Sequence, residues 1–394
     1  MNFLYLLRKR LPLPTVFILV FLWTGTPGNA DIVFALQEVK EESYPFVIEI
    51  VAPAAIEMAV NDAVGLVAVV HQEDHPVHVS IFSLDESGTP IHANPIVVVL
   101  PKRGPLAAHP TYALSATFHP SLPLLYVWQD VNAPAGADAG TFEHLLIFRI
   151  TEGEAKLVQA CGKSSDYAIG RKLGYIAVDK KATRLYFPNL TGISKGELVN
   201  GIGYFSLDED GLVLGNRETG DADFKAQRVI GLSLAWSPDR AAGFAPINDD
   251  IVMFATAGGA GAWDQSEARQ RFTEAQIWPP GRPDRRIAAH PSLPAVYICS
   301  LGTSYAQQLK HAEGYFTSNF QLVSISGPFS RPVVLARRNM VAYGGGYHVQ
   351  LISIDNEGRF LPEIRRCTAT NKKVSALSYS DKFDKLYVAA DKER

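Results

Sequence analysis

Residues 287–299 read IAAHPSLPAVYIC, and residues 116–128 read ATFHPSLPLLYVW. Each is a short apolar run, a His-Pro-Ser-Leu-Pro turn and a second apolar run that carries a tyrosine. Pro fixes the backbone of such a turn and Ser bonds to it locally. Weaker copies stand elsewhere, at residues 175–187, at 230–236 followed by Ser237-Pro238-Asp239, and at 374–390. A unit repeated at intervals along a chain this long is the signature of a repeat architecture.

The tags in the second strand of the unit align as Leu125-Tyr126-Val127, Leu185-Tyr186-Phe187, Val296-Tyr297-Ile298 and Leu386-Tyr387-Val388. Between units the chain offers further short strands, closed by turns at Asp85-Glu86-Ser87-Gly88, Asp208-Glu209-Asp210-Gly211 and Asp355-Asn356-Glu357-Gly358. No convincing amphipathic helix interrupts them. Short strands at this spacing predict an all-β β-propeller of four-stranded blades set radially. Seven units are expected; six is the alternative, because the sixth, near residues 340–360, is blurred. The last unit stops after its second strand, which would leave an open edge. Residues 46–51 (FVIEIV) are therefore expected to close the ring by joining it, the alternative being an arm packed elsewhere.

The unit, with His119-Pro120, His290-Pro291, Ser237-Pro238-Asp239 and the Leu-Tyr tags, resembles that of the YVTN and lactonase-like seven-bladed β-propellers. That group includes the bacterial 6-phosphogluconolactonase type and muconate-lactonising relatives. The resemblance spans roughly residues 45–390 and is one of fold. No catalytic motif of the family can be placed residue by residue, so an activity is not inherited with it. The Gly-His and Trp-Asp marks of WD40 repeats are absent as a set, and Trp263-Asp264 is a lone dipeptide in a loop.

The first thirty residues read as a secretory signal peptide: Arg8-Lys9-Arg10, an apolar run at 11–23, and Gly28-Asn29-Ala30 at the cleavage position. An uncleaved anchor is the alternative, although the run is short of a bilayer span. The expected organisation is a signal peptide (1–30), an N-terminal segment (31–44) and a single propeller domain (45–394), with no membrane span after cleavage. The mature chain is expected to be secreted or periplasmic. Losing the three leader charges takes the formal net charge from -3 to -6, and no basic run suits nucleic acid. Three cysteines, Cys161, Cys299 and Cys367, cannot form a complete disulfide set, and Cys299 reads as a small core residue.

The propeller resemblance implies that the turn between a blade's first two strands lies on one face. The loops between second and third strands, and between blades, lie on the other, where ligands usually sit. His119 and His290 thus read as turn formers on the back face. On the ligand face stand loops at 129–143, 188–200, 257–271, 301–315 and 344–348. Basic residues precede several inner strands: Arg171-Lys172, Arg228, Arg285-Arg286 and Lys372-Lys373. They form either a partial ring of positive charge at the channel mouth, suited to a carboxylate or phosphate, or separate solvated charges. His71, His75 and His78 with Glu73 and Asp74 form a His cluster on a loop, with no helix to fix ligand geometry, so no metal site is assigned.

Two functions follow. The first is an exported propeller that binds a small anion or a protein partner, through Arg171, Lys172, Arg228, Arg285, Arg286, Lys373 and Trp263. The second is a lactonase-like hydrolase, in which the basic ring holds an acid group and Asp130, Asp264, His311 or His348 activates water. No cofactor is identified; the hydrolytic reading admits a divalent metal. Serine-nucleophile, phosphate-loop, dinucleotide and zinc-protease motifs are absent.

Overall fold

The computed structural model of the protein describes residues 39–42, 44–52, 54–71, 78–91, 95–100, 111–131, 145–161, 176–178, 182–194, 197–214, 235–236, 242–247, 250–255, 270–272, 285–300, 305–312, 315–325, 330–367 and 373–390. Within them nearly everything is strand, in seven sheets that follow chain order. Sheet A holds Ala55–Asn61, Leu66–His71, His78–Ser83 and Ile96–Val99; sheet B holds Thr111–Phe118, Leu124–Val131, Leu145–Thr151 and Glu154–Cys161. Sheet C has three strands, Ala177–Val178, Arg184–Ser194 and Glu197–Ser206. Sheet D holds Ala235–Trp236, Ala242–Ile247, Asp250–Ala255 and Gln270–Phe272; sheet E holds Arg285–Ala289, Ala295–Ser300, Tyr305–Ala312 and Tyr315–Ser324. Sheet F holds Val333–Leu335, Met340–Gly345, His348–Ile354 and Phe360–Cys367, and sheet G ends the chain with Val374–Ser380 and Lys385–Ala390. Within each sheet these strands are antiparallel neighbours in sequence.

The apolar runs of the second strands explain the packing. Successive side chains of a strand point to opposite faces. In Leu124–Val131, Leu125 and Val127 join a core with sheet A, while Leu124, Tyr126 and Trp128 join a core with sheet C. Both faces are buried, so the run is apolar throughout rather than alternating. The same construction joins E to F, F to G and, through Tyr387, Met58 and Val67, G back to A. First strands are neighbours from A to B, B to C, D to E, E to F, F to G and G to A.

The N-terminal strands add to the last two sheets. Val47–Val51 pairs with Lys385–Ala390, as expected for residues 46–51, and runs parallel to it. The direction has a simple cause. A sheet's fourth strand must run the same way as its second in order to lead into the next sheet. Among the described residues sheet G has no third strand of its own, and this strand lies directly against the second. Ahead of it, Val39–Glu42 pairs in parallel with the outer strand of sheet F.

Three segments differ from expectation. Residues 301–315 were expected as a loop, but Tyr305–Ala312 is the third strand of sheet E, and Gln307 and Gln308 are buried in it. Residues 333–335 then open sheet F. Much of 188–200 likewise lies in a long hairpin whose register runs from Arg184 opposite Ser206 to Ser194 opposite Glu197. Residues 242–247 (AGFAPI), with little strand pattern of their own, form the second strand of sheet D. In all three, pairing with a neighbouring strand overrides weak local propensity. The expected leader (1–30) lies outside the described residues.

Candidate functional site in the pocket between first strands

The two ends of the sheets are built differently. At one end, where first and second strands turn, polar groups are spent on architecture. His119 Nδ1 accepts the backbone N–H of Ser121 (3.2 Å) and Leu122 (3.0 Å); His290 Nδ1 does the same for Ser292 (3.1 Å) and Leu293 (3.0 Å). Both rings are thereby held neutral, and burial pushes His290 down to about 4. Asn61 donates to the carbonyls of His119 (3.0 Å) and Leu122 (2.9 Å), fastening sheet A to sheet B. Asp62 accepts from the backbone of Asp381 (3.0 Å), fastening A to G.

The tyrosines of the repeat tags complete this framework. Tyr126 donates to the carbonyl of Gly211 (2.7 Å), Tyr297 to that of Gly358 (2.9 Å) and Tyr387 to that of Gly88 (2.6 Å). In each pair the glycine is the last residue of an Asp-x-x-Gly turn in the following sheet. Each of these glycines has positive φ, between 76° and 79°.

At the other end, where first strands begin, charged side chains gather. A half-open pocket of about 10 Å³, room for a water-sized group, lies between the first strands of sheets A, E and G and the lead-in to F. Glu57 comes from A, Arg286 from E, Ser330 and Arg331 from the lead-in, and Ser375 from G. Glu57 is 3% exposed, in a strand whose other buried side chains are mostly apolar. Its Oε2 accepts the N–H of Ala116 (3.2 Å), and the Ser115 hydroxyl also donates to the carboxylate. Its Oε1 lies 3.4 Å from Arg331 Nη2, within ion-pair range but without an aligned hydrogen bond. Burial raises its pKa to about 7, against the pull of Arg331, the hydrogen bonds and Arg286. A carboxyl that titrates near neutrality beside two guanidinium groups can accept or release a proton near pH 7.

The wall is kept in place from behind. Ser330 Oγ accepts the N–H of Gly344 (3.0 Å), and Val374 N–H bonds to the carbonyl of Gly346 (2.8 Å). A Cβ at Gly344 would stand 2.7 Å from both Ser330 Oγ and Val374 Cγ1. The glycine-rich tip of sheet F thus sets the position of two pocket strands.

Of the residues singled out from sequence, Arg286 lines this pocket. Arg285 is the first residue of the same strand, opposite Ser300. Lys373 stands exposed immediately before the first strand of sheet G. His348 faces Gly345 across the tip of sheet F, at the pocket end of the sheets, and its Nδ1 is buried without a hydrogen-bond partner. Asp130 pairs with Tyr112 at the corresponding end of sheet B. His311 does not join them: Lys310 stands opposite Ala295 and Arg286 opposite Cys299, so His311 lies at the His290 end of sheet E. Arg171, Lys172, Arg228, Trp263, Asp264 and Lys372 lie outside the described residues, as do Glu73, Asp74 and His75. His71 and His78 stack with ring centroids 4.3 Å apart. Among the described residues no three His, Cys, Asp or Glu side chains are grouped to hold a metal ion. Cys299 is buried, as expected of a core residue.

Glu57 and Arg331 were not foreseen. Arg331 has the same placement as the other basic residues, just ahead of a first strand. Glu57 left a signal of its own: a carboxylate inside the apolar run IEMAV, where burial without a partner is costly.

No protein-family model matches the chain, and no curated protein matches it. Solved structures do. A candidate 6-phosphogluconolactonase from Bacteroides fragilis superposes with a TM-score of 0.53 at 14% identity, covering 78% of this chain and 82% of its own. A protein from Lactobacillus plantarum gives 0.52 at 13% identity, over 80% and 89%. The periplasmic gluconolactonase of Pseudomonas aeruginosa gives 0.50 at 11% identity, over 77% and 83%. At the level of fold the chain is similar to lactonase-like β-propellers.

Proposed function

We propose that the protein is an exported seven-bladed propeller that binds a small organic anion at the channel mouth, over the pocket between its first strands. In this reading sheets A to G are the blades of one domain spanning 45–394, preceded by a signal peptide and closed by Val47–Val51. The packing of G against A and the neighbouring first strands support a closed ring. A secreted or periplasmic location fits the fold shared with a periplasmic gluconolactonase, and no helix among the described residues is long and apolar enough to cross a membrane.

The observation that carries the reading is the convergence of Arg286 and Arg331, from different sheets, on one pocket whose remaining polar lining is mostly hydroxyl. A guanidinium fork suits a carboxylate, and a concave wall strengthens its field. The test is calorimetry of the mature protein with a panel of small carboxylates and phosphate esters. Wild type is expected to bind, and Arg286→Glu to abolish binding. Anion binding unchanged in Arg286→Glu would remove the pocket from the account.

A second reading, hydrolysis of a carboxylated or phosphorylated lactone, is favoured by one observation. Glu57, poised near pH 7 beside the anion-binding groups, is placed to act as a general base. A lactone panel with and without calcium, magnesium or zinc separates the two. Turnover that is lost in Glu57→Gln makes the protein a hydrolase; anion binding without turnover leaves it a binder.

A further inference from the structure

Glu57 is held from sheet B, and the bond that holds it has a direction. We propose that Ser115 is the positioning residue of the site: its hydroxyl, turned by the Ile176 amide of sheet C, gives its one proton to the Glu57 carboxylate and so keeps Glu57 ready to act as a base. This assignment rests on the hydrolytic reading above and names the group that poises its general base.

The geometry leads there. Ser115 belongs to the first strand of sheet B and is fully buried, so no solvent competes for its hydroxyl. A hydroxyl has one proton to give and two lone pairs to receive with. The N–H of Ile176, one residue ahead of the first strand of sheet C, donates to Ser115 Oγ at 2.9 Å. With that lone pair taken, the hydroxyl proton is directed to Glu57. The next residue of the same strand, Ala116, donates its N–H to Glu57 Oε2 (3.2 Å). Two donors from sheet B thus hold the carboxylate, and Oε1 stands on the side of Arg331, 3.4 Å from Nη2. The bonds run from the Ile176 amide through the Ser115 hydroxyl to the Glu57 carboxylate, across sheets C, B and A.

Such a bond acts on the proton as well as on the position. A hydrogen bond to an ionised acceptor is about twice as strong as one between neutral groups. The donor therefore favours the ionised carboxylate and pulls its pKa down. It works against burial, which raises Glu57 to about 7. Every element packed on Glu57 enters this balance. Arg286 of sheet E and Arg331 of the lead-in to F lower the pKa by their charge, and Ser115 and Ala116 of sheet B lower it by hydrogen bonds. Ile56 and Met58 on its own strand, Ser330 of the lead-in and Ser375 of sheet G are neutral. The arginines stay charged throughout the neutral range. Ser115 is thus a member of the set that can be altered without changing any charge.

The test reads the Glu57 carboxyl directly. The mature chain carries glutamate labelled with carbon-13 at the side-chain carboxyl and is titrated across the acid and neutral range; the Glu57 resonance is the one lost in Glu57→Gln. Wild type is expected to titrate near 7. Ser115→Ala should raise the midpoint by about one pH unit. Ser115→Thr keeps the hydroxyl and should restore the wild-type midpoint. Ser115→Cys, close to serine in size but a weak donor, should fall between wild type and alanine, and it decides the matter where the added methyl of threonine is not accommodated. A packing role alone predicts the opposite sign, because a smaller side chain admits water, relieves the burial and lowers the midpoint. A midpoint that is unchanged or lowered in Ser115→Ala and Ser115→Cys would overturn the assignment of Ser115 and leave Glu57 standing as the base. A wild-type midpoint in the ordinary carboxylate range would overturn the poised Glu57 itself, and with it the hydrolytic reading.

Discussion

Gly358 offers a direct test of how the sheets are fastened together. It ends the Asp355–Gly358 turn of sheet F with φ of 79°, and its carbonyl accepts the Tyr297 hydroxyl of sheet E. Replacing it with alanine has three consequences. The left-handed backbone costs about 1 kcal/mol in a residue with a Cβ. The added Cβ would stand 2.6 Å from the Cβ of Ala295, an atom that no rotamer change can move. The turn must therefore shift, at about 1–3 kcal/mol for overpacking. That shift loosens the Tyr297 bond and leaves a buried hydroxyl, for about another 1–3 kcal/mol. Gly358→Ala should thus cost about 4 kcal/mol in all. Gly153 is the control: its φ is 87° but nothing lies within 4 Å of an added Cβ, so Gly153→Ala should cost only the backbone contribution of about 1 kcal/mol. The measurement is urea unfolding followed by tryptophan fluorescence and circular dichroism, comparing midpoints at equal slope. A second variant isolates the contact: Ala295→Gly added to Gly358→Ala should recover part of the loss as a coupling energy. Equal losses in the two glycine variants, or no recovery in the double variant, would refute the claim that this turn is wedged against its neighbour.

Other outcomes follow from the same framework. Tyr387→Phe removes the bond to Gly88 between the last and first sheets and should cost about 1–3 kcal/mol in the same urea assay, because the carbonyl left behind is buried. His290 has a folded pKa near 4, below its unfolded value near 6.5, so the unfolded chain binds more protons between these values. Its contribution is complete above about pH 6.5 and is lost as pH falls toward 4, in total about 3 kcal/mol; a pH series of unfolding midpoints that is no flatter for His290→Asn would contradict this. Deleting residues up to Val51 should uncover the edge of Lys385–Ala390 and convert a monodisperse species into aggregates on size exclusion, since an open edge recruits other chains. Gly344→Ala should lower stability by about 1–3 kcal/mol in the urea assay, because the new Cβ presses on Ser330 Oγ and on Val374, a member of the core between sheets F and G.

The repeat units were legible because both faces of the second strands are buried, which forces runs such as LLYVW and AVYIC that stand out against polar turns. The His-Pro turns were legible for a related reason. Proline and the imidazole acceptor act within four residues of each other, so the whole interaction is local in sequence. What was missed is non-local. Tyr305–Ala312 carries Gln307, Gln308 and Lys310 and has little strand propensity; it is held by neighbours on both sides. The partners of Tyr126, Tyr297 and Tyr387 lie 61 to 299 residues away, so the Asp-x-x-Gly turns and the Leu-Tyr tags could each be seen without their connection being visible. The pocket has the same origin. Glu57 and Arg331 are 274 residues apart in a chain that brings them within 3.4 Å, and only the order of the first strands makes them neighbours.

That order also explains why chemistry is to be sought at one end of the sheets. At the turn end, each polar group that the repeats supply has a fixed backbone partner: the His rings hold turn amides, Asn61 and Asp62 hold the turns of neighbouring sheets, and the tyrosines hold glycine carbonyls. Such groups cannot exchange partners without loosening the fold, so they are poor candidates for binding. At the opposite end, Glu57 is held by Ser115 and Ala116 through one side of its carboxylate while the other side meets Arg331 without an aligned bond. An ion pair enclosed on one side and reaching a pocket on the other is where a ligand can gain free energy by adding hydrogen bonds. The pattern of repeats therefore does more than build the sheets. By committing the recurrent His, Asn and Tyr side chains to the frame, it leaves Glu57, which breaks the apolar run of its strand, and the basic residues at the strand entries, Arg286 and Arg331, to define a site.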